Sequence, residues 1–333
     1  MKTVLNFWVS LIISFVYGSA FAQKALPISE TIVHDPVMIQ QDGTYYLFCT
    51  GHGISMFSSK DMKEWTLLKP VFETPPTWAT GVAADFKDHI WAPDVSYHNG
   101  QYYLYYSVSS FAKNTSAIGV ATNKTLNQSD KNYKWEDHGI VVQSVPNRDL
   151  WNAIDPNLIF DENNTPWLSF GSFWNGLKMV KLSADLLSVA KPEEWYTVAR
   201  RERSFNLPDT DPGDAALEAP FVFKKDGYYY LFLSWDYCCR GEKSTYKVVV
   251  GRSKTVQGPY VDAAGKSLND GGGTLVIEGN KNWAGAGHNS TYTFNGKDYF
   301  VFHAYDNAKK GAPKLKIKEI KWENGWPKVT PLD

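Results

Sequence analysis

Repetition limits this chain more than any other feature. One plan recurs five times: a polar or small residue, a proline or its equivalent, a short apolar strand, a turn, and an aromatic strand. The five starts are Asp35-Pro36, Ala92-Pro93, Asp155-Pro156, Ala219-Pro220 and His288-Asn289. The returning strands include TYYLFCTG, QYYLYYSV, YYYLFLSW and KDYFVFHAY. With Pro36, Pro93, Pro156, Pro220 and Asn289 equivalent, the steps are 57, 63, 64 and 69 residues. Repeats of that length built from hairpins point to a propeller or a solenoid rather than one large sandwich. Four of the turns are Asp42-Gly43, Asn99-Gly100, Asp226-Gly227 and Asn295-Gly296. Such pairs tolerate the positive φ that a tight hairpin needs.

Each repeat has room for two more strands. GISMFSSK, SAIGVATN, GLKMVKLS, YKVVVGRSK and KLKIKEIKW read as third strands. Trp65 and Trp135 mark outer strands, GPYVD is expected as the outer edge of repeat four, and GWPKVT as the last strand of repeat five. Four antiparallel strands per repeat make a propeller blade. The predicted fold is therefore all-β, a five-bladed β-propeller around a central channel, in one domain over residues 23–333.

The first 22 residues are set apart. Lys2 leads an apolar run, Val4–Val16, and Ala20-Phe21-Ala22 supplies a small-x-small cleavage site. This is the pattern of a bacterial secretory signal peptide, which implies a secreted or periplasmic protein. The run is short for a ~20-residue span. The formal net charge of −1, with both signs dispersed, excludes a nucleic-acid footprint. No membrane association is expected once the signal is cleaved, and the chain is expected to act as a monomer. Three cysteines are not a disulfide framework. Cys49 lies in an aromatic strand and reads as buried and inert. Cys238-Cys239 is either a vicinal disulfide or a pair of thiols shaping a loop.

In a propeller, the first strand of each blade lines the axis, so residues just before those strands converge at one mouth. Asp35, Asp155 and Glu218 sit one or two residues before the equivalent prolines. The prolines predict extended backbone there. Two carboxyl groups at one site are the minimal set for glycoside hydrolysis, one ionised and one protonated. A third beside them disfavours ionisation by like-charge repulsion. Asp94 falls after its proline and reads as structural. Trp91, Phe111, Trp151, Phe173 and Trp174 lie near the mouths, where aromatic faces either pack in the core or stack on sugars. Asn152 and Ser172 add neutral hydrogen-bonding groups. His288 holds the fifth repeat's equivalent position, either as a structural residue or as a cation ligand in the channel.

These motifs together resemble the arabinanases of glycoside hydrolase family 43. The resemblance rests on His34-Asp35-Pro36, Trp91-Ala92-Pro93-Asp94, Asn152-Ala153-Ile154-Asp155-Pro156, Glu218-Ala219-Pro220, Cys238-Cys239-Arg240-Gly241 and Gly287-His288-Asn289-Ser290, and it spans all five repeats. It implies an inverting endo-acting hydrolase of α-1,5-linked arabinofuranose chains, an arabinan endo-1,5-α-L-arabinosidase. Asp35 would be the general base and Glu218 the general acid. Asp155 would modulate the pKa of Glu218 and orient it. Substrate would be bound by Trp91, Phe111, Asn152, Ser172, Phe173 and Trp174. His288 would hold a calcium ion (Ca2+), structural or in the axial channel and mostly water-coordinated, since one imidazole is a poor sole ligand for a hard cation. Exo-acting arabinanases, arabinofuranosidases and β-xylosidases on the same fold are alternatives, as is a non-catalytic carbohydrate-binding propeller.

Overall fold

The computed structural model describes residues 24–333. The expected signal peptide and its cleavage site lie outside the described residues. Residues 24–333 form a five-bladed propeller, as the repeats predict. Blade one consists of Val37–Gln41, Thr44–Cys49, Ser55–Ser59 and Glu64–Leu67. Blade two consists of His89–His98, Gln101–Val108, Ser116–Asn123 and Glu136–Ser144. Blade three has Asn157–Phe160, Pro166–Phe170, Leu177–Lys181 and Trp195–Ala199, and blade four has Leu217–Lys225, Tyr228–Trp235, Lys247–Ser253 and Thr274–Glu278.

The aromatic second strands are apolar on both faces because both faces are buried. Tyr45 and Leu47 pack toward blade five, while Tyr46 and Phe48 pack toward blade two. Tyr229, Leu231 and Leu233 face blade three, while Tyr230 and Phe232 face blade five. One apolar cluster fills each of the five gaps between neighbouring blades. The hairpin turns behave as their chemistry predicts. Asp42 and Gly43 have φ of 49° and 69°, and Asn295 and Gly296 have 52° and 74°, the double positive φ that matches strand twist.

Two expected outer strands are corrected. GPYVD does not edge blade four; it makes only isolated bridges at Val261, and Thr274–Glu278 takes the edge. Blade five has three strands, Trp283–Phe294, Lys297–Asp306 and Ala312–Glu319, not four. GWPKVT instead closes a separate hairpin, Lys321–Glu323 with Trp326–Lys328. The open edge of blade five is met by the N-terminal segment. Ile32 bridges Lys314, Leu315 N donates to Thr31 O, and Leu26–Pro27 then pairs with Trp65 and Glu64 of blade one. The start of the described chain thus straps the last blade to the first.

Candidate active site

Five residues ring one mouth of the channel, one from each blade, and all have left-handed backbone. Their φ values are 55° at Asp35, 42° at Ala92, 59° at Asp155, 55° at Ala219 and 50° at His288. The extended backbone expected before the prolines is therefore wrong. Ladder irregularities fall here, between Trp91 and Asp94, between Glu218 and Phe221 and between Gly287 and Ser290. A bulge at the strand entry turns the side chain toward the axis. Left-handed non-glycine residues cost of order 1–2 kcal/mol each and persist only where surroundings hold them.

Inter-blade hydrogen bonds do the holding. The seventh residue after each hairpin turn is Thr50, Ser107, Gly171, Ser234 or His303. Ala92 N donates to Thr50 Oγ1 (2.8 Å), Asp155 N to Ser107 Oγ (3.1 Å), His288 N to Ser234 Oγ (2.9 Å) and Asp35 N to His303 Nδ1 (3.2 Å). Each blade thus fastens the next. Blade three carries glycine at this position and offers no side chain. Ala219 N donates to Asp155 Oδ2 instead, at 3.1 Å, which ties one catalytic candidate to the residue beside another.

Asp35 is buried and surrounded by donors. His34 Nδ1 lies 2.7 Å and His288 Nδ1 2.9 Å from its Oδ1, and Thr50 Oγ1 donates to Oδ2 at 2.5 Å. Burial pushes its carboxyl up, but the two imidazoles outweigh burial and hold it well below the usual range. Asp35 is an ionised carboxylate. His288 takes the complementary charge. Burial alone would lower it, yet Asp35, Asp155 and Glu218 raise it to about 9. His303 is held well below its ordinary value, first by burial and then by His34, so it is neutral and accepts at Nδ1 from Asp35 N. Asp155 is pushed well above the carboxylate range, first by burial; the positive His288 opposes this, and the charges of Glu218 and Asp35 add to it. Glu218 accepts at Oε2 from Ser172 Oγ (2.9 Å) and at Oε1 from Tyr246 OH (2.7 Å). One mouth therefore holds an ionised carboxylate, a protonated carboxyl, and a glutamate fastened by two hydroxyls.

The other expected residues divide. Phe111 is 74% exposed, Trp91 is half-buried with Nε1 donating to His89 Nδ1, and Phe173 faces Tyr237 at 6.0 Å. Asn152 is buried with its side-chain oxygen unpartnered. Ser172 is spent on Glu218, so its first role is to position that carboxyl. Trp174 is 1% exposed, with Nε1 donating to Asp209 O, so its ring packs inside and does not reach a sugar face. Trp151 turns to the flank, against Trp195. Asp94 is structural: it accepts from Leu158 N and Asn157 Nδ2, and Asn157 Oδ1 accepts from Val222 N, linking blades two, three and four near the axis.

Motif reasoning misses several residues of the site. Thr50, Ser107, Ser234 and His303 share one repeat position, so an alignment of the second strands finds them. Tyr246 carries no such signal. Cys238 and Cys239 form a vicinal disulfide, and Cys239 N donates to Tyr305 OH beside His34. Cys49 is buried, and burial pushes its thiol up to about 12, so it is inert as expected.

A cation on His288 is compatible with this geometry in one way only. Nδ1 is committed to Asp35, leaving Nε2 as the single protein nitrogen. A carboxylate on one imidazole nitrogen with metal on the other is a common ligand arrangement. The residues present fit an ion held by one nitrogen and otherwise by water, with His288 giving up its Nε2 proton to the ion.

Known proteins resemble this chain along nearly all of its described length. The family model for glycosyl hydrolases family 43 matches residues 25–327. The extracellular exo-alpha-(1->5)-L-arabinofuranosidase ArbA of Cellvibrio japonicus is 54% identical over 309 residues, covering 92% of this chain and 89% of that protein. The extracellular endo-alpha-(1->5)-L-arabinanase 1 of Bacillus subtilis is 42% identical over 304 residues, covering 90% and 88%. The structure of Cellvibrio cellulosa alpha-L-arabinanase complexed with arabinohexaose superposes with a TM-score of 0.89 at 55% identity, covering 90% of this chain and 96% of that one.

Proposed function

This chain belongs to glycosyl hydrolases family 43, and from that premise we propose that it is a secreted arabinanase that hydrolyses α-1,5-linked arabinofuranose chains with inversion. The observation that carries the reading is the gathering of Asp35, Asp155 and Glu218 at one mouth in unlike environments. Asp35, ionised and oriented by His34, His288 and Thr50, removes a proton from water on one face of the furanose. Glu218, aimed by Ser172 and Tyr246, gives its proton to the departing 5-oxygen. Asp155 holds Ala219 N and so sets the backbone that carries Glu218. Inversion needs carboxyl groups roughly 6.5–9.5 Å apart, to leave room for the water. Phe111 and Trp91 supply aromatic surface for the chain.

The relatives are named for two modes of attack, at chain ends and within the chain. Greater identity to the exo-named relative, 54% against 42%, favours release from a chain end over the internal cleavage expected from motifs alone. Both of these relatives are named extracellular, which supports secretion. Incubation with linear α-1,5-arabinan, with products resolved over time, tests all of this. A single short product from the outset supports chain-end attack, and a spread of oligomers with falling viscosity supports internal cleavage. No product at all removes the hydrolase reading. Glu218→Gln is expected to abolish cleavage while retaining binding; undiminished turnover would remove Glu218 from the acid role. Proton NMR of the first-formed anomer checks inversion.

We also propose calcium at His288. When bound, the ion would take the place of the Nε2 proton of His288 and supply in its stead the positive charge beside the carboxylates. Chelation is expected to lower the thermal midpoint, and calcium to restore it, in the parent protein and not in His288→Ala. An identical midpoint with and without chelator would dismiss the ion.

A further inference from the structure

On the flank of the molecule, between the outer strand of blade two and the loop Ser183–Glu194 of blade three, lies a cleft of about 470 Å³. That is within the size range of small-ligand sites. Trp151 and Trp195 form its aromatic corner, with ring centroids 5.4 Å apart and planes tilted by 41°. Phe170 backs both indoles edge-on, at 5.4 and 5.8 Å. Trp195 is 36% exposed, yet its ring plane is held, because Nε1 donates to Glu193 Oε2 at 2.7 Å. Glu193 is in turn paired with Lys191. On the facing wall, Arg148 Nε and Nη2 both donate to Asp149 Oδ2, at 2.9 and 2.7 Å, and Nη2 also donates to Gln143 O.

The charges decide the class of ligand. Two cations and two anions line the cleft, and each cation is already paired. The formal charges of the lining cancel, so the cleft sets up no net attraction for an ion of either sign. Two uncharged groups of the lining have no protein partner among the described residues, the Gln143 carboxamide and the Trp151 indole N–H. A pre-set aromatic corner beside neutral donors and acceptors suits a ligand with apolar C–H faces and uncharged hydroxyls. The cleft also adjoins the mouth through one braced segment. Asn114 Nδ2 donates to Asp149 O and Trp151 O, Asn175 N donates to Leu150 O, and the same segment continues through Asn152 to Asp155.

We propose that the Trp151–Trp195 cleft is a second carbohydrate-binding site, which takes one or two sugar units of the neutral polymer that the mouth cleaves. The inference rests on the arabinanase reading for the identity of that polymer. It gives a role to two tryptophans and a braced polar frame that lie on the flank, away from the carboxylates. A second anchor holds a long chain near the mouth and matters little to a short one.

The test uses the full protein. Native gels containing linear arabinan would compare Glu218→Gln with Glu218→Gln/Trp195→Ala, and turnover of arabinan and of arabinotriose would be measured for Trp195→Ala alone. The expected result is weaker retardation, a KM for polymer raised by roughly two- to tenfold, the range for one lost aromatic contact, and unchanged kcat/KM on arabinotriose. Trp195→Phe should recover most of the retardation, which separates lost stacking from lost folding. Gln143→Ala, on the facing wall, should weaken retardation in the same direction. Equal retardation and equal polymer KM would overturn the second site. An equal fall on polymer and trisaccharide would also overturn it, by assigning Trp195 to the mouth. If the parent protein releases nothing from arabinan, the arabinanase reading fails instead, and the ligand assignment falls with it.

Discussion

At the residue scale, the site depends on groups that lie far from the catalytic motifs in sequence. Glu218 owes its orientation to two hydroxyls, Ser172 and Tyr246, that come from different blades. Tyr246 is buried, so its O–H is available to Glu218 and to little else. Tyr246→Phe keeps the ring and removes that one donor. Leaving a buried acceptor without its donor costs ~1–3 kcal/mol. The expected outcome is a fall in kcat of roughly ten- to a hundredfold, with a shifted pH profile and a thermal midpoint close to the parent's. A variant with the parent's kcat and profile would show that Tyr246 only fills space. Gly171 matters through what it lacks. Its φ is 131°, and an added Cβ would come within 3.2 Å of Leu177 Cα. Its missing side chain is also what leaves Ala219 N to Asp155.

At the element scale, the blades are joined by specific polar contacts laid over apolar gaps. Asp298 illustrates this. It sits at the hairpin of blade five and accepts from Lys225 of blade four (2.7 Å), Thr293 (2.6 Å) and Trp322 of the terminal hairpin (2.8 Å). Burial pushes its carboxyl up, but these three partners win and hold it below the usual value. The sign of the linkage is set by that direction. A carboxyl with a lowered folded pKa contributes stability that is fully present above its unfolded pKa, near 4, and is lost as pH falls through the folded value. Asp298→Asn is therefore expected to destabilise the protein at neutral pH and to make the acid limb of the midpoint-against-pH curve shallower. A parallel curve, merely displaced, would mean that the charge of Asp298 is immaterial.

At the scale of the whole molecule, the ring must close without a complete fifth blade. The N-terminal segment completes it, bridging Lys314 at Ile32 and pairing Leu26–Pro27 with blade one. Lys314 is 3% exposed and reaches Glu30 of the same segment, so the strap also covers a buried cation. Removing residues 24–32 uncovers that cation and opens the gap between the first and last blades. The expected result is a lower thermal midpoint and a broader transition, read by calorimetry, with the loss of activity on heating moved down in step. An unchanged, equally sharp transition would show that the apolar cluster between blades five and one closes the ring without help.

The sequence alone determined the five repeats, the hairpins and the approach of three acids to one axis. These are local signals: turn pairs that tolerate positive φ, runs of aromatic residues, and an acid at a repeating position. Only the tertiary structure decided the rest. Trp174 and Phe111 look alike in sequence, yet one is packed under a backbone carbonyl and the other stands in solvent. Ser172 reads as a sugar ligand and proves to hold Glu218. Extended backbone is the ordinary expectation before proline, and five inter-blade hydrogen bonds override it. GPYVD has the composition of a strand, but blade four's edge is taken by residues further along the chain. In each case the deciding partner lies far away in sequence, where no local pattern records it, and burial sets the energy of the contact.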